Sequence, residues 1–222
     1  MIIKTLRHYV LRNFSPLLFM GLLSGAALFL LMVRLKLTHS FFYLFLVWNL
    51  FLAVIPYAIS EMLASGPKIS KFTLGCGVFV WLLFLPNAPY IVTDFIHLQH
   101  SEAIISYDII MMSCFAISGL YFYAISLQKM RLALAPITSE GFRKLLFFVI
   151  PFLVGFGIYL GRFLRWNSWD ILQQPDALLK DIVSQFLYPK EHALTWIITL
   201  GFGFVLLILD LLLERFRKKS RH

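Results

Sequence analysis

Apolar residues fall into six runs, near residues 17–33, 41–60, 72–91, 104–127, 144–164 and 193–213. A helix rising ~1.5 Å per residue needs about 20 mostly apolar residues to cross a hydrocarbon layer of ~30 Å. The gaps between runs are short, and together they leave no room for a separate soluble unit. The pattern predicts an all-α integral membrane protein, a six-transmembrane-helix bundle forming one polytopic domain over residues 1–222. The first run follows Lys4, Arg7 and Arg12 and ends at Arg34. It exceeds the apolar segment of a secretory signal, so an uncleaved anchor is expected.

Two stretches depart from uniform apolarity. In "PDALLKDIVSQFLYPK", Leu178, Leu179, Ile182, Val183, Phe186 and Leu187 form one stripe between Pro175 and Pro189. This predicts a short amphipathic helix near 175–188, resting in the membrane interface or, as the alternative, roofing a site. In "WLLFLPNAPYIVTDFIH", Pro86 and Pro89 interrupt the end of the third run. Each proline lacks an N–H and clashes one turn back, so carbonyls near Leu82 and Leu85 should lose partners. Asn87, between the prolines, is placed to replace them.

Composition agrees with the pattern: 60% of residues are apolar, 14% are charged, and mean hydropathy is +0.81. Soluble domains are nearer half apolar and a quarter charged. The net charge of +9 raises nucleic acid as a partner, but its distribution follows membrane topology instead. With the N-terminus inside, 14 of the 20 Lys and Arg residues fall in cytoplasmic segments, which places both termini in the cytoplasm. The bilayer is therefore the expected partner. Cys76 and Cys114 both lie within runs, so no disulfide framework or cysteine zinc site is available. Gly21/Gly25 and Gly157/Gly161 have the spacing of close helix packing.

That topology puts seven of the eleven acids outside, among them Asp94, Asp108 and Asp170, together with His97 and His100. Tyr90, Thr93, Asp94 and His97 share one face of a continuing helix. Ionisable groups at membrane depth usually face a bundle interior or cavity. Asp108, early in the fourth run, is a candidate for the same cavity. At the outer end of the fifth run, "YLGRFLRWNSWD" offers Arg162 and Arg165, three apart on one helical side, then Trp166, Asn167, Trp169 and Asp170. Two guanidinium forks suit carboxylate or phosphate. The plainer alternatives are an aromatic belt and an arginine pairing with Asp94 or Asp108 to hold the bundle together.

A phrase also recurs. "VWNLFLAVIPYAISE" from Val47 aligns with "VWLLFLPNAPYIVTD" from Val80 at an offset of 33, so Ser60–Glu61 match Thr93–Asp94 in kind. The two copies run in opposite directions across the membrane, as inverted repeats of transporters do. Chance similarity between apolar segments is the alternative.

"FLPNAPYIVTDFIHL" and "GRFLRWNSWD" resemble the paired signatures of a bacterial predicted-membrane-protein family classed as domain of unknown function 1361, and "VWNLFLAVIPY" fits as well. Phe95 and Ser106 are mild departures. The resemblance implies a multi-pass protein of a bacterial plasma membrane, with the third- and fifth-span motifs working together. It supplies no activity and no cofactor.

Three functions fit these residues. The first is a binder or enzyme acting on a lipid or lipid-linked anionic headgroup at the outer leaflet. Asp94, His97 and Asp108 are its candidate acid–base groups. Asn87, Tyr90, Thr93, Arg162, Arg165, Trp166, Asn167, Trp169 and Asp170 are its candidate binding residues. Asp94, His97 and His100 also give a weak metal-ligand alternative, Asp-x-x-His-x-x-His, which lacks the specificity of established zinc signatures. The second is a transporter or channel subunit using the broken third span, six spans implying a homo-oligomer; here the cytoplasmic half offers only Glu61 and Asn49 as polar groups. The third is an accessory protein whose polar cluster is structural, with Asp94 and the arginines mutually paired and no cavity beside them.

Overall fold

The computed structural model describes residues 14–66, 70–100 and 104–219. Of the charged residues counted for topology, Lys4, Arg7, Arg12, Lys68, Glu102 and Arg221 lie outside these residues, as do the side chains of His100, Arg217 and Lys218.

The helices are α1 (Phe14–Thr38), α2 (Phe45–Ser65), α3 (Lys71–Phe84), α4 (Asn87–Tyr90), α5 (Ile105–Leu134), α6 (Glu140–Arg162), α7 (Asp170–Gln173), α8 (Pro175–Leu187) and α9 (Ala193–Lys219). A 3₁₀ turn, Phe42–Leu44, leads into α2, and a 3₁₀ segment, Ile91–His100, continues α4. Six helical stretches are long and apolar enough to span: Phe14–Thr38, Phe42–Ser65, Lys71–Gln99, Ile105–Leu134, Glu140–Arg162 and Ala193–Phe216. All six expected spans are present in a multi-pass membrane protein, and among the described residues there is no strand. Most outrun their apolar runs, because caps and chain geometry end a helix rather than the last leucine. Ser70 and Ser139 cap α3 and α6, their hydroxyls accepting from the N–H of Thr73 and Phe142.

α5 is the central element. Met111, Met112, Phe115, Tyr123, Leu127 and Met130 are all buried along it, and α1 and α2 pack on its flanks. A small hydroxyl node joins three helices in the core: Trp81 Nε1 of α3 donates to Ser126 Oγ of α5 at 2.8 Å, and Ser60 of α2 lies 3.2 Å from the same oxygen. At Gly119 a β-carbon would lie 2.3 Å from the Ala88 carbonyl oxygen, so glycine lets α4 press directly on α5. α6 packs mainly against α9 and meets the rest of the bundle at α4. The two glycine pairs behave differently. Gly157 abuts Pro86 and Gly161 abuts the Tyr90 ring, whereas among the described residues nothing lies within 4 Å of a β-carbon at Gly21 or Gly25.

Among the described residues, ion pairs that tie the helices include Arg34–Asp108 (α1 to α5), Glu61–Lys129 (α2 to α5), Arg131–Asp210 (α5 to α9) and Asp94–Arg162 (the 3₁₀ segment to α6). The first and last lie at one end of the bundle, the other two at the opposite end. The two acids of the recurring phrase, Glu61 and Asp94, are thus both buried and both paired. Their preceding hydroxyls match too, Ser60 donating to Tyr57 O at 2.9 Å and Thr93 to Tyr90 O at 2.6 Å. The prolines do not match: Pro56 sits inside an unbroken α2, while the second copy breaks.

Candidate functional site

The break comes first, because it creates the site. α3 stops at Phe84, the chain turns through Leu85 and Pro86, and α4 restarts at Asn87. In place of the lost helical donors, Asn87 Nδ2 donates to Phe84 O at 2.9 Å and Ser168 Oγ donates to Leu83 O at 2.9 Å. Asn87 and Ser168 are joined by a 3.0 Å hydrogen bond. Asn87 repairs the break as expected, but the carbonyls served by side chains are those of Leu83 and Phe84. Ala88 N–H, reaching back to Leu85 O at 3.2 Å, satisfies Leu85 from the backbone. At membrane depth such repair is obligatory, since no water is at hand to supply donors.

Beyond the break, Tyr90, Thr93, Asp94 and His97 gather around one side chain, Arg162. Its Nη2 donates to Asp94 Oδ1, its Nε to Thr93 Oγ1 at 2.8 Å, and its Nη1 lies 3.3 Å from His97 Nε2. The guanidinium carbon stands 4.3 Å above the centre of the Tyr90 ring. Arginine cannot accept a hydrogen bond, so His97 Nε2 is the acceptor and carries no proton in this arrangement. Asp94 is 1% exposed, and its second oxygen accepts from Asn49 Nδ2 at 2.8 Å. The charge is matched and the donors are satisfied, which is the condition for an ion pair to survive burial. The His97 ring is held in turn by Phe42 and Phe45, with ring centres 5.9 and 4.9 Å away.

Beside this cluster lies a cavity of about 320 Å³ between α2, α3 and α6. Leu52, Leu82, Leu83, Leu153, Phe156 and Leu160 form its apolar walls, while Asn49, Asn87, Tyr90, Asn167 and Ser168 bring polar groups to it. Leu178 and Ile182 of α8 also line it, so the amphipathic helix roofs the cavity. The predicted stripe divides in two: Leu178 and Ile182 turn inward, and Leu179, Val183, Phe186 and Leu187 stay exposed. The roof is pinned at two points, by Trp166 Nε1 donating to Asp181 Oδ2 at 2.8 Å and by Thr195 donating to the buried Gln185.

Not every expected residue converges here. Asp108 is held by another arginine, Arg34, through Nε at 2.7 Å and Nη2 at 3.1 Å. Its link to the cluster is indirect: Arg34 packs over the Tyr43 ring, and the Tyr43 hydroxyl reaches the His97 carbonyl at 3.4 Å. Arg165 does not share a helical side with Arg162. α6 ends at Arg162, and Arg165 is exposed in a left-handed turn with φ of 61°. The two arginines therefore form no common fork. Asp170 is buried as a loop cap, accepting from Asn167 N at 2.7 Å and Nδ2 at 3.1 Å. Trp169 packs edge-on against Trp48. No group of three metal-binding side chains occurs among the described residues.

Three features escaped the sequence reading. Asn49 belongs with Asp94 and not with the opposite end; counting from the start of its helix would have placed it there. Ser168 carries no motif of its own. The Arg131–Asp210 pair lines a second cavity of about 470 Å³ at the opposite end, with Glu140, Arg143, Lys144 and Glu214. A lone acid in the sixth apolar run was its available signal.

Residues 48–209 match the family described as "Protein of unknown function (DUF1361)". The chain belongs to this family. Every residue lining the roofed cavity, and each member of the Arg162 cluster, falls within the part that matches DUF1361. Arg34, Phe42, Tyr43 and Phe45, which brace the cluster from α1 and the turn before α2, lie ahead of it. No curated protein and no solved structure matches the chain.

Proposed function

We propose that this DUF1361 protein binds a lipid, seated in the cavity between α2, α3 and α6 beneath α8. One observation carries the reading: a cavity of about 320 Å³ with leucine walls, a polar end and a hydrogen-bonded roof, set among membrane-spanning helices. Ligand sites are typically concave, largely apolar and furnished with a few placed polar groups. Binding stands ahead of catalysis, because the acid–base groups are already engaged. Both Asp94 oxygens accept hydrogen bonds, and His97 Nε2 accepts from Arg162. The Arg162 cluster is then the frame of the cavity, which faces the outer leaflet in the topology that the basic residues favour.

Native mass spectrometry of protein extracted into amphipol tests this. Wild type should retain lipid, and Ile182→Trp, which fills the cavity from its roof, should lose it at unchanged melting temperature. Lipid-free wild type sinks the reading.

The second cavity favours one other reading, a transporter subunit, since openings at both ends are what alternating access requires. Cysteines placed singly at Ile182 and Leu211 would then label reciprocally as conditions change. Independent labelling removes that reading.

A further inference from the structure

The polar end of the cavity is rich in acceptors, with the Tyr90 hydroxyl and a second amide proton on Asn49 and Asn167 as donors beside them. Asn49, Asn87 and Asn167 each use their amide nitrogen on a partner: the Asp94 carboxylate, the Phe84 carbonyl and the Asp170 carboxylate. Those partners only accept, so the orientation of each amide is fixed by chemistry. Each amide oxygen is left without a hydrogen-bond partner among the described residues. Ser168 spends its proton on Leu83 O, so it too can only accept from a ligand. No charged side chain lines the cavity among the described residues.

We infer that the headgroup taken by this cavity is a neutral polyol, such as the sugar of a glycolipid, bound through its hydroxyl protons to Asn49, Asn87 and Asn167. This rests on the lipid-binding reading of the same cavity. An anionic headgroup would find a few neutral donors among the acceptor oxygens and no cation on the lining to offset its desolvation. An ammonium headgroup would find acceptors, but it would carry an unpaired charge into a leucine-walled space beside the Arg162 guanidinium, which already lies on Tyr90. Hydroxyls supply donors without charge. Trp48 and Trp166, on the same lining, offer aromatic surface to the apolar face of a sugar ring. The leucine walls accommodate the chain, which makes the ligand a lipid and not a free sugar.

The test uses wild-type protein in phosphatidylcholine nanodiscs and ligands sharing one brominated dodecyl chain, with binding read as saturable tryptophan quenching. Dodecyl glucoside should bind at least ~10-fold more tightly than dodecyl phosphate or dodecylammonium, since a site built to receive hydroxyl protons discriminates against heads lacking them. Free glucose should not compete at the same concentration. Asn167→Leu, which keeps the backbone hydrogen bond to Asp170, should weaken glucoside binding ~10-fold while leaving a bromododecyl methyl ether unaffected. Preference for the phosphate or the ammonium head overturns the headgroup inference and leaves the lipid cavity standing. Saturation by none of the brominated chains overturns both. Competition by free glucose overturns the lipid nature of the ligand.

Discussion

Gly157 lies directly against the Pro86 ring: a β-carbon there would stand 2.4 Å from Pro86 Cγ and 2.9 Å from Cβ. The contact sets how closely α6 approaches the broken end of α3, and so the width of the cavity between them. Gly157→Ala must push a rigid ring, and overpacking of this kind costs about 1–3 kcal/mol. Gly201→Ala on α9 meets nothing within 4 Å among the described residues and should be neutral or slightly stabilising. Melting of both variants in the same detergent checks the pair, and equal melting temperatures would contradict the packing.

Asp94 and Arg162 should be worth more broken than removed. Asp94→Asn or Arg162→Gln alone leaves a buried charge without its partner and should cost about 3–5 kcal/mol. The double variant should recover most of that loss. A denaturant titration of the four-member cycle measures the coupling. Additive losses would show that the two charges do not depend on each other. Arg162→Lys should resemble a loss, because an ammonium cannot serve Thr93, Asp94 and His97 together from one planar fork.

Trp166→Phe removes the indole proton that Asp181 accepts and keeps most of the ring. A hydrogen bond to a charged group contributes about 1.5–3 kcal/mol, concentrated here on the roof helix. In a background lacking Cys76 and Cys114, a cysteine at Leu178 should react faster with a water-soluble maleimide once Trp166 is Phe. Global melting should fall only slightly. An unchanged labelling rate would mean that Gln185 and Thr195 hold α8 unaided.

Reporter fusions bear on orientation. A reporter joined after residue 100 should score outside and one joined after residue 135 inside, following the distribution of Lys and Arg. The reverse result would turn the roofed cavity toward the cytoplasm.

The spans were legible because lipid demands long apolar runs, and the break was legible because proline removes a donor that lipid cannot replace. The grouping of Tyr90, Thr93, Asp94 and His97 followed from spacing, since residues three apart, as Tyr90–Thr93 and Asp94–His97 are, stay on one side in both α and 3₁₀ geometry. What spacing could not supply was the choice of partner. Asp108 and Asp94 read alike in sequence, yet one belongs to Arg34 and the other to Arg162. That sorting depends on which helices touch. Arg165 was misplaced because its three-residue spacing from Arg162 counts only while a helix continues, and here it ends. A cavity was expected, but its walls were not legible, for a related reason. It is bounded by α2, α3, α6 and α8 together, and no single segment records the space left between them.

Arg131 lies near the end of α5, yet its carboxylate partner, Asp210, arrives 79 residues later on α9. In a nascent chain inserting helix by helix, the guanidinium lacks this partner through the synthesis of α6, α7 and α8. Asp210 reaches it from α9, and that same helix backs α6. This pair in the bilayer therefore closes only after α9 has left the ribosome. A product truncated before Asp210 keeps Arg131 without its α9 carboxylate, a mark by which membrane quality control could tell it from a chain that carries α9.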